Sequence, residues 1–320
     1  MHRVLAGEIR NIIALYCVEP VQYRAILGLL ENPGFALGPQ ISCRAGDLSL
    51  RVSQSITGRT DKAAVRGAAA VELQIEAGYV FDDVADGEID SGLGLNGGEQ
   101  LALALAMHIC GAQAAWEAAC WSNRDRGSQA LQSFHANYVA SCAGQFLDAQ
   151  LEKKAAANTD EALNMTFLKS GSLGKFAAEF GALLATNEPE IIRLFGDFGF
   201  NLTTYLQLVD DVADACPTGH RDGDIAQGKK TLPLVFFHNS LLQSHPEGGG
   251  IETLREASRQ NTLVREEFEE SGAADFGAIV AEAFLNRAKS NLADLHGLVK
   301  ETNGLEQYVD SLVIGPTEGL

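Results

Sequence analysis

Three features of the sequence predict an all-α fold. Alanine and leucine dominate its 320 residues, only 8 prolines interrupt them, and apolar residues recur three and four positions apart instead of alternating. That spacing lays an apolar stripe along one face of a helix, whereas a strand needs alternation. With 46% hydrophobic residues the chain has ample material for a core.

The elements follow in order. Helical periodicity runs from Leu5 to Leu30 and stops at the turn Asn32-Pro33-Gly34, after which the sequence reads as irregular. A helix from Lys62 to Asp86 carries Val71, Leu73, Ile75, Tyr79 and Val80. Gly87 to Gly98, with five glycines in twelve residues, is a loop. Glu99 to Glu117, Ser128 to Lys153 and Thr159 to Thr186 each read as a helix. Glu188 to Asp214 reads as another, with Pro189 suited to its first turn and Leu194, Phe195, Phe198, Leu202, Leu206 and Val209 on its apolar side. Cys216 to Gly228 is polar and broken, and order resumes at Lys229-Lys230-Thr231-Leu232-Pro233. The clearest internal break is His245 to Gly250. The helices beyond it, such as Ala281 to Val299, are too few for a separate domain, so one domain is expected over residues 1–320.

Composition excludes some partners. A net charge of −18 opposes nucleic acid and anionic lipid, which need Lys and Arg to neutralise phosphates, but leaves room for a small anion that binds through a metal. Cys17, Cys43, Cys110, Cys120, Cys142 and Cys216 form no Cys-x-x-Cys pair and read as buried thiols of a reducing compartment. Met1 to Glu8 has no signal-peptide pattern, so a cytoplasmic location is expected. Leu101 to Cys120 is long enough to test as a membrane span, but His108, Gln113 and Glu117 interrupt it; a helix inside a bundle, with no integral membrane segment, is expected.

The feature richest in chemistry is a repeated pentapeptide. Asp-Asp-Val-Ala-Asp occurs at Asp82 to Asp86 and again at Asp210 to Asp214, each time ending a long apolar helix. Carboxylates at i and i+4 share a helix face and repel. A hard divalent cation relieves that repulsion, and Mg²⁺ is commonly held by carboxylates together with substrate phosphate oxygens. If the two helices lie side by side, Asp82, Asp83, Asp86, Asp210, Asp211 and Asp214 converge as metal ligands. Lys169, Lys229 and Lys230 are the cations placed to meet a diphosphate, and Tyr79, Ala77, Gly78, Phe198 and Leu202 would wall an apolar pocket below.

These residues resemble the trans-isoprenyl diphosphate synthases, or polyprenyl synthetases, of the class I isoprenoid synthases. The resemblance spans most of the chain: Glu72-Leu73 before Asp82-Asp83-x-x-Asp86, Gly144-Gln145-x-x-Asp148, Lys169-Ser170 with Phe176 to Leu184, and Gln207-Leu208-Val209-Asp210-Asp211-x-x-Asp214. Asp224 and Gly228-Lys229-Lys230-Thr231-Leu232-Pro233 complete it. It implies a large helical bundle around a central cavity, usually a homodimer, acting with Mg²⁺ on an allylic prenyl diphosphate. It also implies that Asp82, Asp86 and Asp210 serve the metal, that Asp211 and Asp214 assist, and that Lys169, Lys229, Gln207 and Gln145 bind substrate.

The departures concern the second substrate. Chain-elongating members hold isopentenyl diphosphate with a Gly-Lys-x-x-Arg-Pro element and an Arg-Arg pair. Here Phe35-Ala36-Leu37-Gly38-Pro39-Gln40 stands at the first, and no basic residue occurs from Gly87 to Met107. Arg44 and Arg51 are the nearby replacements, and His220 and Arg221 stand in for a loop lysine. The acceptor is therefore isopentenyl diphosphate or a different nucleophile. A terpene cyclase of the same fold, or a non-catalytic partner subunit of a prenyl synthase, is the alternative.

Overall fold

The computed structural model describes residues 2–39, 44–87, 92–122, 124–215, 223–244 and 263–313. Among these, every regular element is helical: α1 (His2–Tyr16), α2 (Pro20–Leu30), α3 (Arg44–Thr57), α4 (Lys62–Asp86), α5 (Gly97–Ser122), α6 (Arg124–Leu151) and α7 (Thr159–Thr166). A π-helical turn (Phe167–Gly171) leads into α8 (Ser172–Ala185), followed by α9 (Pro189–Ala215), α10 (Asp224–Gln227), α11 (Leu232–Ser244), α12 (Leu263–Glu270), α13 (Ala273–Asp294) and α14 (Asn303–Leu312).

The all-α expectation holds, with three local corrections. The run from Leu5 to Leu30 is two helices, because Pro20 starts α2 and Glu19 caps it by accepting from the Val21 and Gln22 amides. The stretch read as irregular contains α3, which buries Asp47, Ser49, Ser53 and Ser55 among its apolar residues and so shows no clean stripe. Thr159 to Thr186 is interrupted by the π turn, where Ser172 Oγ donates to the Leu168 carbonyl and Thr166 Oγ1 to the Ala162 carbonyl at 3.1 Å.

The chain forms two compact units, Met1–Ala136 with Lys175–Asp197 and Asn291–Leu320, and Asn137–Gly174 with Phe198–Ser290. In the first, α4 is covered by α5, α3 and α1 and is buried almost all round from Ala63 to Ala77. Small residues bring α5 close: a Cβ on Gly111 would stand 3.1 Å from the Ala70 carbonyl oxygen. Arg66, buried on α4, pairs with Glu8 of α1 (2.7 Å) and Glu117 of α5 (2.6 Å), and Glu117 also accepts from the Tyr16 hydroxyl at 2.5 Å. Glu72 on α4 accepts from the Gly46 amide at 2.6 Å, so it supplies the acceptor that the start of α3 lacks within its own helix.

The second unit is built around aromatic contacts. Phe167 meets Phe200 and Phe284, Phe236 stacks on Phe276, and Phe237 meets Phe268 edge-on. Ala215, Ile225, Leu234 and Ala273 join Phe237 and Phe268 in one buried cluster, which anchors the end of α9 and all of α10.

Candidate active site

Each acidic pentapeptide closes a helix. In α4 the chain leaves the helix at Gly87, whose left-handed φ of 81° suits glycine, and its amide turns back to the Asp83 and Val84 carbonyls. Asp82 and Asp83 are half-buried there, and Asp86 is exposed. A helix C-terminus carries partial negative charge and favours Lys or Arg, yet the last turn of α4 holds aspartates and no basic residue. The last turn of α9 repeats the pattern, with Asp210 and Asp214 exposed and Asp211 buried. Both helix ends thus carry charge of the sign a cation would neutralise.

A lattice of hydrogen bonds surrounds the α9 motif within the second unit. Ser170 Oγ donates to Gln207 Oε1 at 2.7 Å, and Gln207 Nε2 donates to Asp211 Oδ1 at 2.8 Å, which fixes the amide's orientation. Lys169 Nζ lies 2.7 Å from Asp148 Oδ2 of α6, and Lys229 Nζ lies 2.9 Å from Glu152 Oε1, one turn further along. Lys169 sits on the π turn, where Ser141 Oγ donates to its carbonyl at 2.9 Å. Gly144 of α6 lies against the same backbone: a Cβ there would fall within 2.5 Å of Leu168 C and Lys169 Cα. That close approach gives the Gly-Gln motif its physical sense, since only glycine lets α6 reach the lysine turn.

The electrostatics follow from burial. Asp211 is only 4% exposed; burial is the main force pushing its carboxyl up to about 8, against the Gln207 hydrogen bond and with help from Asp224, Asp210 and Asp148. Asp224, the first residue of α10, is pushed up to about 6 by burial and by Asp214 and Asp148, with Lys229 and Lys169 pulling the other way. Asp211 Oδ2 is buried and has no hydrogen-bond partner. Among the described residues no three acidic, His or Cys side chains form a preformed metal cage. An orphaned carboxylate oxygen amid three acidic neighbours, Asp148, Asp210 and Asp224, nevertheless fits a hard cation that completes its shell with water and substrate oxygens.

The other residues singled out from the sequence are distributed more widely. Lys230 is buried and donates to the Gly228 carbonyl at 2.9 Å, bracing the turn whose glycine has φ 78°. Gln145 is half-buried beside Gly144. Tyr79 is exposed on α4, while Ala77, Phe198 and Leu202 are buried. Arg221, with His220, lies outside the described residues. Asp148 and Asp224 belong to the sequence motifs without an assigned role, and Glu152 and Ser141 lie outside those motifs. The signal for Asp148 and Glu152 is the same i, i+4 carboxylate spacing at a helix end that marks Asp82 and Asp86.

Two further expectations change. The cysteines are not uniformly buried: Cys110 is, Cys17 is half-buried, and Cys120 and Cys142 are exposed, with Cys43 and Cys216 outside the described residues. Leu101 to Cys120 is buried along one side of α5 only, with Leu101, Leu105, Ile109 and Trp116 exposed on the other. No helix among the described residues is long and apolar enough to cross a membrane.

Among the described residues the chain is all-helical, its long helices α4 and α9 end in aspartate clusters, and a lysine–carboxylate lattice stands beside the second. The chain belongs to the polyprenyl synthetase family, whose sequence profile matches residues 97–269, more than half of its length. It is 25% identical over 303 residues to the geranylgeranyl diphosphate synthase of Sulfolobus acidocaldarius, covering 90% of this chain and 89% of that one. The fold is shared with a geranylgeranyl pyrophosphate synthetase from Geoglobus acetivorans (TM-score 0.78, 20% identity, 97% of this chain and 95% of that one). A polyprenyl synthase from Caulobacter crescentus, complexed with calcium and isoprenyl diphosphate, shares it too (TM-score 0.75, 22% identity, 97% and 93%).

Proposed function

We propose that this prenyltransferase uses Mg²⁺ to ionise an allylic isoprenyl diphosphate and passes the prenyl cation to an acceptor. The carrying observation is Asp211, a buried carboxylate with an unmatched oxygen at a helix end crowded by further carboxylates. Asp82, Asp83 and Asp86 on α4 are one set of proposed metal ligands, and Asp210, Asp211 and Asp214 on α9 are another. When bound, Mg²⁺ supplies Lewis-acid polarisation of the diphosphate leaving group.

The chain's own residues do the rest. Lys169 and Lys229 offer ammonium groups to the charge that develops on the departing diphosphate, and their carboxylate partners Asp148 and Glu152 hold them in place beforehand. Gln207, locked between Ser170 and Asp211, keeps Asp211 Oδ1 occupied and so directs its other oxygen outward from the amide. Gln145 and Arg221 complete the proposed diphosphate contacts, with Tyr79 and Phe198 serving the hydrocarbon.

Isopentenyl diphosphate is the acceptor this reading favours, in keeping with the geranylgeranyl diphosphate synthase it resembles. One candidate for its site is committed elsewhere: Arg51 donates to Asp47 at 2.8 Å and to the Gly304 carbonyl at 3.0 Å and lies over the Tyr308 ring. Arg44, the other candidate, is exposed at the start of α3. The stripe Leu101, Leu105, Ile109 and Trp116 on α5 suits a second copy, so a homodimer is proposed. Exposed Cys120 and Cys142 thiols favour a reducing cytoplasm.

The test is incubation of the pure protein with C10, C15 or C20 allylic diphosphates and Mg²⁺, with and without isopentenyl diphosphate, with products identified by mass and released diphosphate counted. Longer prenyl diphosphates that require isopentenyl diphosphate, vanish with EDTA and are lost in Asp82→Ala/Asp210→Ala support the proposal. Hydrocarbons or alcohols made without isopentenyl diphosphate would establish a cyclase instead, and turnover by the double variant in a mixed complex would establish a partner subunit.

A further inference from the structure

Side chains from two distant segments grip the first turn of α3 within the first unit. Glu72 of α4 takes the Gly46 amide at 2.6 Å, and the Tyr308 hydroxyl of α14 donates to the Arg44 carbonyl at 3.0 Å. Arg51, two turns further along α3, returns the grip on α14. Its Nη1 donates to the Gly304 carbonyl at 3.0 Å, its guanidinium stands 5.2 Å from the centre of the Tyr308 ring, and its Nε donates to Asp47 at 2.8 Å. The segment leading into α14 is pinned to the far end of α3, where the Lys300 and Glu301 amides both donate to the Ser55 carbonyl, at 3.0 and 3.3 Å. Leu305 and Val309, buried before and after Tyr308, seat the helix between these anchors. A packed helix therefore aims the Tyr308 hydroxyl. Burial and the Asp47 and Glu72 carboxyls hold its phenol above the usual range, with Arg51 and Arg44 pulling the other way, so it stays protonated and remains a donor.

We propose that Tyr308 is a positioning residue for Arg44 and that, through this bond, α14 sets the affinity for the diphosphate of the acceptor; this rests on the proposed function, in which isopentenyl diphosphate is the acceptor and Arg44 a candidate cation for it. Arg51 is held by Asp47, Gly304 and Tyr308, whereas Arg44 presents an exposed side chain at the first residue of α3. A helix start carries partial positive charge, so an arginine there adds charge of the sign that an anionic ligand neutralises. Guanidinium meets phosphate oxygens through paired N–H donors in a fixed fork, and that pairing fails when the residue carrying it turns. The Tyr308 bond holds the peptide of Arg44 itself, from which the side chain projects. Tyr308 acts through Arg44 and takes no part in ionising the allylic substrate. Removing its hydroxyl therefore weakens acceptor binding and leaves ionisation alone.

The test compares wild type, Tyr308→Phe, Arg44→Gln and the double variant in steady-state elongation with Mg²⁺, varying isopentenyl diphosphate at saturating allylic diphosphate and then the reverse. Tyr308→Phe keeps the ring against Arg51 and removes one hydrogen bond, so the KM for isopentenyl diphosphate rises roughly 3- to 10-fold while kcat and the KM for the allylic diphosphate stay at wild-type values. Arg44→Gln raises the same KM by roughly 10- to 100-fold, and adding Tyr308→Phe to it raises it no further, because the hydroxyl acts through Arg44. Ser311→Ala removes another α14 hydroxyl, one that donates to the Tyr308 carbonyl at 2.7 Å, and leaves both KM values unchanged. An unchanged KM in Tyr308→Phe beside a raised one in Arg44→Gln would overturn the proposal and leave the acceptor reading standing. A Tyr308→Phe protein in which kcat and both KM values move together would overturn it as well. An unchanged KM in Arg44→Gln, or a wild type that makes no product requiring isopentenyl diphosphate, would overturn the acceptor reading itself and the proposal with it.

Discussion

Gly144→Ala tests whether a backbone contact positions the candidate lysine. The added methyl would stand 2.5 Å from Leu168 C and Lys169 Cα and closer still to the Lys169 amide nitrogen, all of them backbone atoms that no rotamer change can move. Ordinary contact begins near 3.4 Å, so α6 and the π turn must part by close to 1 Å. That opening carries Lys169 away from Asp148, now 2.7 Å distant, and from Ser141, which donates to its carbonyl. Overpacking of this kind costs roughly 1–3 kcal/mol of stability, and a catalytic group misplaced by about 1 Å loses about 10²-fold in rate. The assay is diphosphate release from an allylic diphosphate at saturating substrate, alongside urea unfolding. Two controls separate the effects. Gly127→Ala puts a methyl 2.6 Å from the Ala119 carbonyl oxygen and should destabilise without touching the lysine turn, and Gly304→Ala meets nothing within 4 Å and should be silent. A Gly144→Ala protein with turnover within twofold of wild type and unchanged stability would refute the reasoning.

Three more outcomes are expected. Asp211→Asn should flatten the fall in stability of the metal-free protein between pH 3.8 and 8, so that it stabilises clearly more at pH 9 than at pH 5. The wild-type carboxyl, held at about 8 against 3.8 when unfolded, contributes stability fully below 3.8 and loses it as pH rises through 8; equal effects at both pH values in EDTA would contradict this. Glu72→Gln should flatten the fall in stability between pH 4.5 and 7, because burial holds Glu72 up to about 7 and the folded state resists its ionisation; urea titrations at pH 5, 6 and 7.5 with unchanged slopes would count against it. Arg66→Met leaves Glu8 and Glu117 without their shared cation and should cost about 3–5 kcal/mol in urea unfolding, and a loss below about 1 kcal/mol would show that the network contributes little.

Much of this was legible where the signal is local. The span of α4 could be read to the residue because Asp61 caps its start, accepting from Ala64 at 2.9 Å, and Gly87 ends it. The carboxylate repeats and the lysine motifs are likewise runs of neighbours in the chain. What escaped depends on partners distant in sequence. α3 hides because Asp47 and its serines face inward, where Arg51 and back-bonded hydroxyls receive them. Asp211 and Asp214 look equivalent in the pentapeptide, yet one is buried and the other exposed, a difference made by helix packing together with Asp148 and Asp224.

The π turn at Phe167–Gly171 makes the direction of Lys169 a matter of counting. Such a turn holds one residue more than its α-helical equivalent, so it shifts the phase between the helix before it and the helix after it by about 100°. Exchanging side chains on either flank leaves that phase intact. Deleting a single residue inside the turn would merge α7 and α8 into one continuous spiral and swing the lysine to another face. In this protein the number of residues between Thr166 and Ser172 is itself part of how the candidate lysine is aimed, and a change in length there would do more than almost any change in kind.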